Sequence, residues 1–176
     1  MAKWLIASDI HGSAHYCRLL IEAFDREQAE KLALLGDILY HGPRNPLPQG
    51  YAPKEVCALL NPLRDRILCV RGNCDAEVDQ MVLDFPIMAP HMLVCAFGRE
   101  LMLTHGHHLD ELPAHGGTVI MGHTHIPCCE RREGYLLMNP GSVSLPKGDS
   151  PRGYMTLDDG GFLWKTLEGE AYNSFK

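Results

Sequence analysis

Apolar residues along this chain gather into short runs, and several runs stop at a polar residue of ligand type. Trp4 to Ala7 leads into Ser8-Asp9-Ile10-His11, Leu32 to Leu35 into Gly36-Asp37, and Ile67 to Val70 into Arg71-Gly72-Asn73-Cys74-Asp75. Leu101 to Leu103 leads into Thr104-His105-Gly106, and Val119 to Met121 into Gly122-His123. Runs of this length read as buried strands. Five strands that deliver side chains from their C-terminal ends are how an α/β-type sheet builds a site.

Helical spacing occurs in two places. Cys17, Leu20, Ile21 and Phe24 predict a helix within Ser13 to Glu30, with Ser13 as its N-cap. Pro53 to Leu60 predicts a second, with proline in its first turn and Val56, Leu59 and Leu60 on one face. After residue 90 the texture changes to short strands: Met92 to Phe97, Tyr135 to Met138, Gly153 to Leu157 and Phe162 to Thr166. The Asp158-Asp159-Gly160-Gly161 run between the last two reads as a hairpin turn. Helices first and antiparallel strands later predict an α+β fold of mixed α/β layers.

Tyr40 to Lys54 resists assignment, because it carries four prolines and two glycines. A connection this long is either a surface excursion or a rim over substrate or a second subunit. No repeat or linker breaks the 176 residues, so the chain 1–176 is expected to form a single domain.

Composition narrows the partners. With 45% apolar and 22% charged residues the chain is globular, and its length allows about 70% of the unfolded surface to be buried. A net charge of −6 has the wrong sign for coating nucleic acid, although a local cationic site is compatible with it. The opening apolar run, Trp4 to Ala7, is too short for a signal peptide. No stretch approaches the roughly 20 apolar residues of a membrane span. Seven cysteines, odd in number and without a CxxC pair, suit free thiols in a reducing compartment. The expectation is a cytoplasmic protein with neither membrane nor bulk nucleic acid as partner; a homo-oligomer stays open.

The strand-end residues then define the chemistry. Asp9 and His11, two apart on an extended segment, point the same way and can share an ion; His123 and His125 repeat that spacing. Asp37 offers two oxygens able to bridge two ions, Asn73 a neutral amide oxygen, and His105 a further imidazole. Oxygen donors mixed with imidazoles suit manganese, iron, zinc or cobalt better than calcium or a thiolate-bound structural zinc. Seven ligands with one shared carboxylate are too many for one tetrahedral site and fit two ions. Two divalent ions, less the charges of Asp9 and Asp37 and a bridging hydroxide, leave about one positive charge to draw a phosphate group, and metals lower the pKa of bound water towards about 7.

The ordered series Asp9-x-His11, Gly36-Asp37, Gly72-Asn73, His105-Gly106-His107 and Gly122-His123-x-His125 resembles the motifs of the calcineurin-like metallophosphoesterases. His41-Gly42-Pro43-Arg44-Asn45, Gly50-Tyr51-Ala52-Pro53, Val70 to Asp75 and Asn139-Pro140-Gly141-Ser142-Val143-Ser144 are similar to the small bacterial phosphodiesterase branch of the YfcE type. The resemblance implies a four-layer αββα sandwich with two divalent transition-metal ions, manganese first, with iron, zinc, cobalt or nickel as alternatives. One ion would be held by Asp9, His11, Asp37 and His125, the other by Asp37, Asn73, His105 and His123. The implied reaction is hydrolysis of a small-molecule phosphodiester by a metal-activated hydroxide. A non-catalytic interaction scaffold of the same fold and a nuclease are the alternatives, and the intact ligand set and acidic charge weigh against them.

Cys74 stands where most of the superfamily has a histidine that protonates the leaving oxygen, as it does in the YfcE-like branch. A thiol is a poor substitute for imidazole in that role, so good leaving groups, a water or His107 must compensate. Asn73 and Cys74 are therefore the expected catalytic residues, and Arg44 and His107 the expected substrate contacts. For both substrate contacts a plain reading stands beside the functional one: Arg44 as a loop-stabilising group, His107 as a hydrogen-bonding support behind the ligands. Cys17, Cys57, Cys69 and Cys95 are expected as core thiols.

Overall fold

The computed structural model describes residues 2–112 and 116–176. In chain order its elements are β1 (Trp4–Ala7), α1 (Ala14–Arg26), β2 (Lys31–Leu34), α2 (Pro53–Leu60), β3 (Ile67–Cys69) and α3 (Glu77–Gln80). There follow β4 (His91–Ala96), β5 (Arg99–Thr104), β6 (Thr118–Ile120), β7 (Cys128–Arg132), β8 (Tyr135–Asn139), β9 (Gly153–Asp158), β10 (Gly161–Thr166) and β11 (Ala171–Phe175).

The strands form two sheets. The first has six in the order β11-β10-β9-β1-β2-β3, and the second has five in the order β4-β5-β6-β8-β7. In the first, β1 to β3 run parallel, with Leu5 opposite Leu32 and Leu32 opposite Ile67. In the second, β5, β6 and β8 run parallel. Parallel neighbours end at the same edge, so the loops after β1, β2 and β3 gather together, as do those after β5 and β6.

Alternation along the strands divides the core. Leu5 and Ala7 point to α1 and α2, where they meet Cys17, Leu20, Phe24, Val56 and Leu60. Ile6 points the other way, into the layer between the sheets, with Ala33, Val70, Leu101, Leu103, Ile120, Met138 and Trp164. Each large apolar side chain buried there contributes about 2 kcal/mol. On the outer face of the second sheet Met102, Val119, Met121 and Leu137 are covered by Leu109, Leu112 and Tyr135. The mixed α/β sandwich expected from the sequence is present, and among the described residues its fourth layer is thin, a 3-10 turn at Leu109–Glu111.

Ser13 caps α1 as expected, accepting the Tyr16 N–H at 3.2 Å, but the helix ends at Arg26 rather than near Glu30. Gln28 takes a left-handed φ of 51°, and the Glu30 N–H donates to the Lys3 carbonyl, which turns the chain back towards β2. The hairpin turn after β9 falls at Asp159-Gly160. Cys17 and Cys69 are buried and Cys57 is partly buried, but Cys95 is exposed, contrary to expectation. β4 is an edge strand, and the alternation that turns Val94 inward turns Leu93 and Cys95 to solvent.

Candidate metal centre

The loops after β1, β2, β3, β5 and β6 bring all seven sequence-expected ligands together. The Asp9 Oδ1 atom lies 3.6 Å from His11 Nε2 and 3.3 Å from His125 Nε2, and those two nitrogens are 3.2 Å apart. Asp37 Oδ2 lies 3.7 Å from His11 Nε2 and 3.4 Å from His105 Nε2, so this one carboxylate borders both halves of the cluster. On its far side Asn73 Oδ1 is 3.0 Å from His105 Nε2 and 2.8 Å from His123 Nδ1.

Backbone carbonyls fix three of the imidazoles. The Nδ1–H groups of His11, His105 and His125 donate to the carbonyls of Tyr40, Leu35 and Leu145 at 2.8, 2.7 and 2.6 Å. A carbonyl only accepts, so in each neutral ring the Nε2 lone pair faces the cluster. No residue signature announces these supports, and the sequence reading missed them.

Close backbone approach is enforced by glycine. A Cβ on Gly72 would lie 2.1 Å from Asp37 Oδ1, and one on Gly122 would lie 1.9 Å from Ser8 Oγ. Asp9, His11, Asp37, His123 and His125 all adopt left-handed φ values of 49 to 65°, which cost non-glycine residues of order 1–3 kcal/mol each. The Asn139 to Ser144 stretch forms the floor: the Ser142 and Ser144 hydroxyls both donate to the Asp9 carbonyl, and Asn139 Nδ2 donates to the Gly122 carbonyl.

The donor set asks for cations. Asp9 Oδ1 is a buried acceptor with no hydrogen-bond partner, and the facing Nε2 atoms of His11 and His125 carry lone pairs that would repel. Burial works against charge on Asp9 and Asp37, yet the neighbouring imidazoles hold both carboxyls below the usual range. Burial likewise opposes a charged His105, and Asp37 and Asp9 raise it to about 9 all the same. Either protons or divalent ions must balance this cluster, and mixed oxygen and imidazole donors fit the latter.

The other expected residues divide. Cys74 is half-buried; its N–H donates to Asp37 Oδ1 at 2.8 Å, and its Sγ lies within reach of a metal shared with His11 and Asp37. Burial and the Asp37 charge push its thiol up to about 12. Arg44 lines a cavity of about 450 Å³ together with Asp37, Asn73, Cys74 and His123, and Lys147, which the sequence reading did not single out, lines it too. His107 lies outside that cavity and lines a neighbouring one of about 570 Å³ that has Asn73 in common. Its Nδ1 is buried without a partner, and burial with the surrounding imidazoles holds its pKa down to about 4. His41 packs between the Tyr40 and Tyr51 rings, at 4.8 and 5.2 Å between centroids, and supports the loop.

Two layered sheets with carboxylates, an amide and imidazoles at their strand ends define a metallophosphoesterase, and the chain belongs to the calcineurin-like phosphoesterase superfamily, whose domain matches residues 3–159. It is 48% identical over 163 residues to Phosphodiesterase YfcE of Escherichia coli K12, covering 90% of this chain and 89% of that one. The solved structure of that phosphoesterase from E. coli superposes with a TM-score of 0.92 at 44% identity, covering 98% of each chain. A mutant of Vps29 from Entamoeba histolytica shares the fold at a TM-score of 0.64 and 18% identity, covering 99% of each chain. No helix among the described residues is long and apolar enough to cross a membrane.

Proposed function

We propose that the chain, acting as one domain over residues 1–176, is a dinuclear-metal phosphodiesterase that hydrolyses a small-molecule phosphodiester. Asp9, His11, Asp37 and His125 would hold one ion and Asp37, Asn73, His105 and His123 the other, with manganese preferred and iron, zinc, cobalt or nickel able to substitute. The ions, when bound, supply Lewis-acid activation of water and of the phosphoryl oxygens. The observation that carries this reading is the unpartnered, fully buried Asp9 Oδ1 set against inward-turned Nε2 atoms, and the 48% identity to a phosphodiesterase supports it.

The chain's own residues do the rest. The carbonyls of Tyr40, Leu35 and Leu145 orient the imidazoles, and Ser142 and Ser144 hold the Asp9 turn. Arg44 and Lys147, in the same cavity as Asp37 and Asn73, receive the negative charge of the diester, Arg44 with a fork matched to two oxygens. Cys74 offers the leaving oxygen only a weak donor, which favours substrates with good leaving groups. His107, neutral at pH 7 and lining the neighbouring cavity that Asn73 also lines, would hold a water on that side.

Metal analysis of the purified chain tests this, followed by a panel of phosphomonoesters, diesters and cyclic nucleotides under manganese. The expected result is about two ions per chain, both lost in Asp37→Ala together with hydrolysis, and diesters turned over faster than monoesters. Full activity in a metal-retaining Asp37→Ala variant would overturn it.

A further inference from the structure

Beside the metal centre lies a third cavity whose chemistry is different. It is a groove of about 660 Å³ walled by Leu39, Tyr40, Tyr51, Pro53, Val78 and Val82, with Lys54 and Asp79 as its charged lining residues. Its size is that of a small-molecule site. Cys74 lines both this groove and the cavity that contains Asp37, Asn73 and Arg44, so the two cavities adjoin at that residue.

We propose that this groove receives one ester arm of the substrate, an aryl or bulky alkyl group, so that the natural diester is asymmetric: a phosphoryl group and polar arm among Arg44, Asn45 and Lys147, and an apolar arm beyond Cys74. The proposal rests on the phosphodiesterase reading and specifies its substrate class. Tyr40, Val78 and Val82 are left 42%, 63% and 49% exposed, apolar surface at the mouth of a site that only an apolar occupant would cover favourably. The groove is also fixed relative to the ligands. The Tyr40 carbonyl holds His11 Nδ1, and the Tyr51 ring packs so closely on Gly12 that a Cβ there would lie 2.5 Å from it. Tyr51 is tied to the start of α1 by a bridge to Ser13. An arm seated against these rings would therefore sit at a set distance from the phosphorus, which is what positions a reacting bond.

The experiment uses the manganese-loaded enzyme with two diesters, methyl 4-nitrophenyl phosphate, which has an aryl arm, and methyl glyceryl phosphate, which has none. The ratio of their kcat/KM values is read in wild type and in Val78→Ser/Val82→Ser, two exposed positions away from the ligands. The ratio is expected to fall about tenfold, the scale of a lost apolar contact in a specificity pocket. Inhibition of the wild type by methyl-, butyl- and hexylphosphonate adds a readout that needs no variant, and inhibition should tighten with chain length. An unchanged ratio with flat chain-length dependence, while wild type hydrolyses both diesters, overturns the groove assignment alone. A change in sedimentation of the double variant with an unchanged ratio also overturns it, assigning the groove to contact between copies. Hydrolysis of neither diester by metal-loaded wild type overturns the phosphodiesterase reading itself.

Discussion

The Asp75 carboxylate accepts the backbone N–H of Asp37 at 2.8 Å. It also accepts those of Ile38 at 2.9 Å and Gly72 at 2.7 Å, so one buried side chain ties the turn after β2 to the turn after β3. Burial raises its pKa above the usual carboxylate value, against the lowering pull of the three backbone donors. Asp75 thus sets the spacing between the shared carboxylate and the amide of Asn73 without facing the cluster itself.

Asp75→Asn replaces one acceptor oxygen with an amino group that must face a backbone N–H. Stability should drop by about 2 kcal/mol and manganese affinity by roughly 10- to 100-fold, as for other supports behind metal ligands. Thermal melts and calorimetric titration with manganese measure the two. A lower melting temperature with unaltered affinity would mean that the tie does not position the ligands.

Cys74→His tests the leaving-group side. General-acid help is worth about 10²- to 10⁴-fold where it is needed; an alkoxide needs it and a nitrophenolate does not. The variant should gain more on alkyl or nucleoside diesters than on nitrophenyl ones, with both metals retained. Equal effects on both kinds of substrate at constant metal content would place Cys74 away from the leaving oxygen.

Ligand-type residues at strand ends were legible in the sequence, but the extended backbone expected at Asp9-x-His11 and His123-x-His125 is not what forms: all four residues take left-handed φ values of 49 to 65°, and His123 faces Asn73 while His125 faces Asp9. What spacing does not carry is non-local pairing. Nothing in Leu32 to Leu35 or Leu101 to Leu103 says that the first lies in one sheet and the second in another. The carbonyls of Tyr40, Leu35 and Leu145 were invisible because every residue has a carbonyl. Cys95 was misplaced because both faces of Met92 to Phe97 are apolar, leaving no contrast from which to read the outward side. The polar edge strand Ala171–Phe175, exposed over most of its length, has no buried face to betray it.

Gly122→Ala should act locally but severely. The new methyl group would meet Ser8 Oγ and come within 2.8 Å of Asp9 Oδ2, in a turn where both are backed by the Asn139 to Ser144 floor. Circular dichroism should remain that of the folded protein while metal content falls below one ion per chain, a loss of half or more of the proposed pair. Retention of both ions would show that the turn has room that its geometry denies.

Glu27 lies far from the metal centre and gives a stability test. Burial alone would raise its pKa, but Lys165, Lys3 and Tyr154 reverse that and hold it down to about 2, with contacts of 2.6, 2.9 and 2.9 Å. A folded-state value below the unfolded 4.5 means that the stabilisation is complete above that pH and fades as pH falls towards 2. Glu27→Gln should therefore cost about 2 kcal/mol at pH 7, and the gap from wild type should close on acidification. Urea melts at pH 7 and pH 3 measure it; a gap that widens at pH 3 would contradict the assignment.

Asp9, His11, Asp37 and Asn73 follow strands of the first sheet, whereas His105, His123 and His125 follow β5 and β6 of the second. The metal centre is thus a seam between two independently hydrogen-bonded plates, and the apolar filling between them sets its bite. Trp164, fully buried in that filling, donates through Nε1 to the Asn139 carbonyl at 2.7 Å, and the Asn139 side chain grips the turn that carries His123. Thinning the filling at Ile6, Ile120 or Trp164 would let the jaws close or slide, changing how far apart the proposed pair of ions could sit. Metal choice in such a molecule is open to tuning from residues that never touch a metal, in the way a caliper is set by its screw and not by its tips.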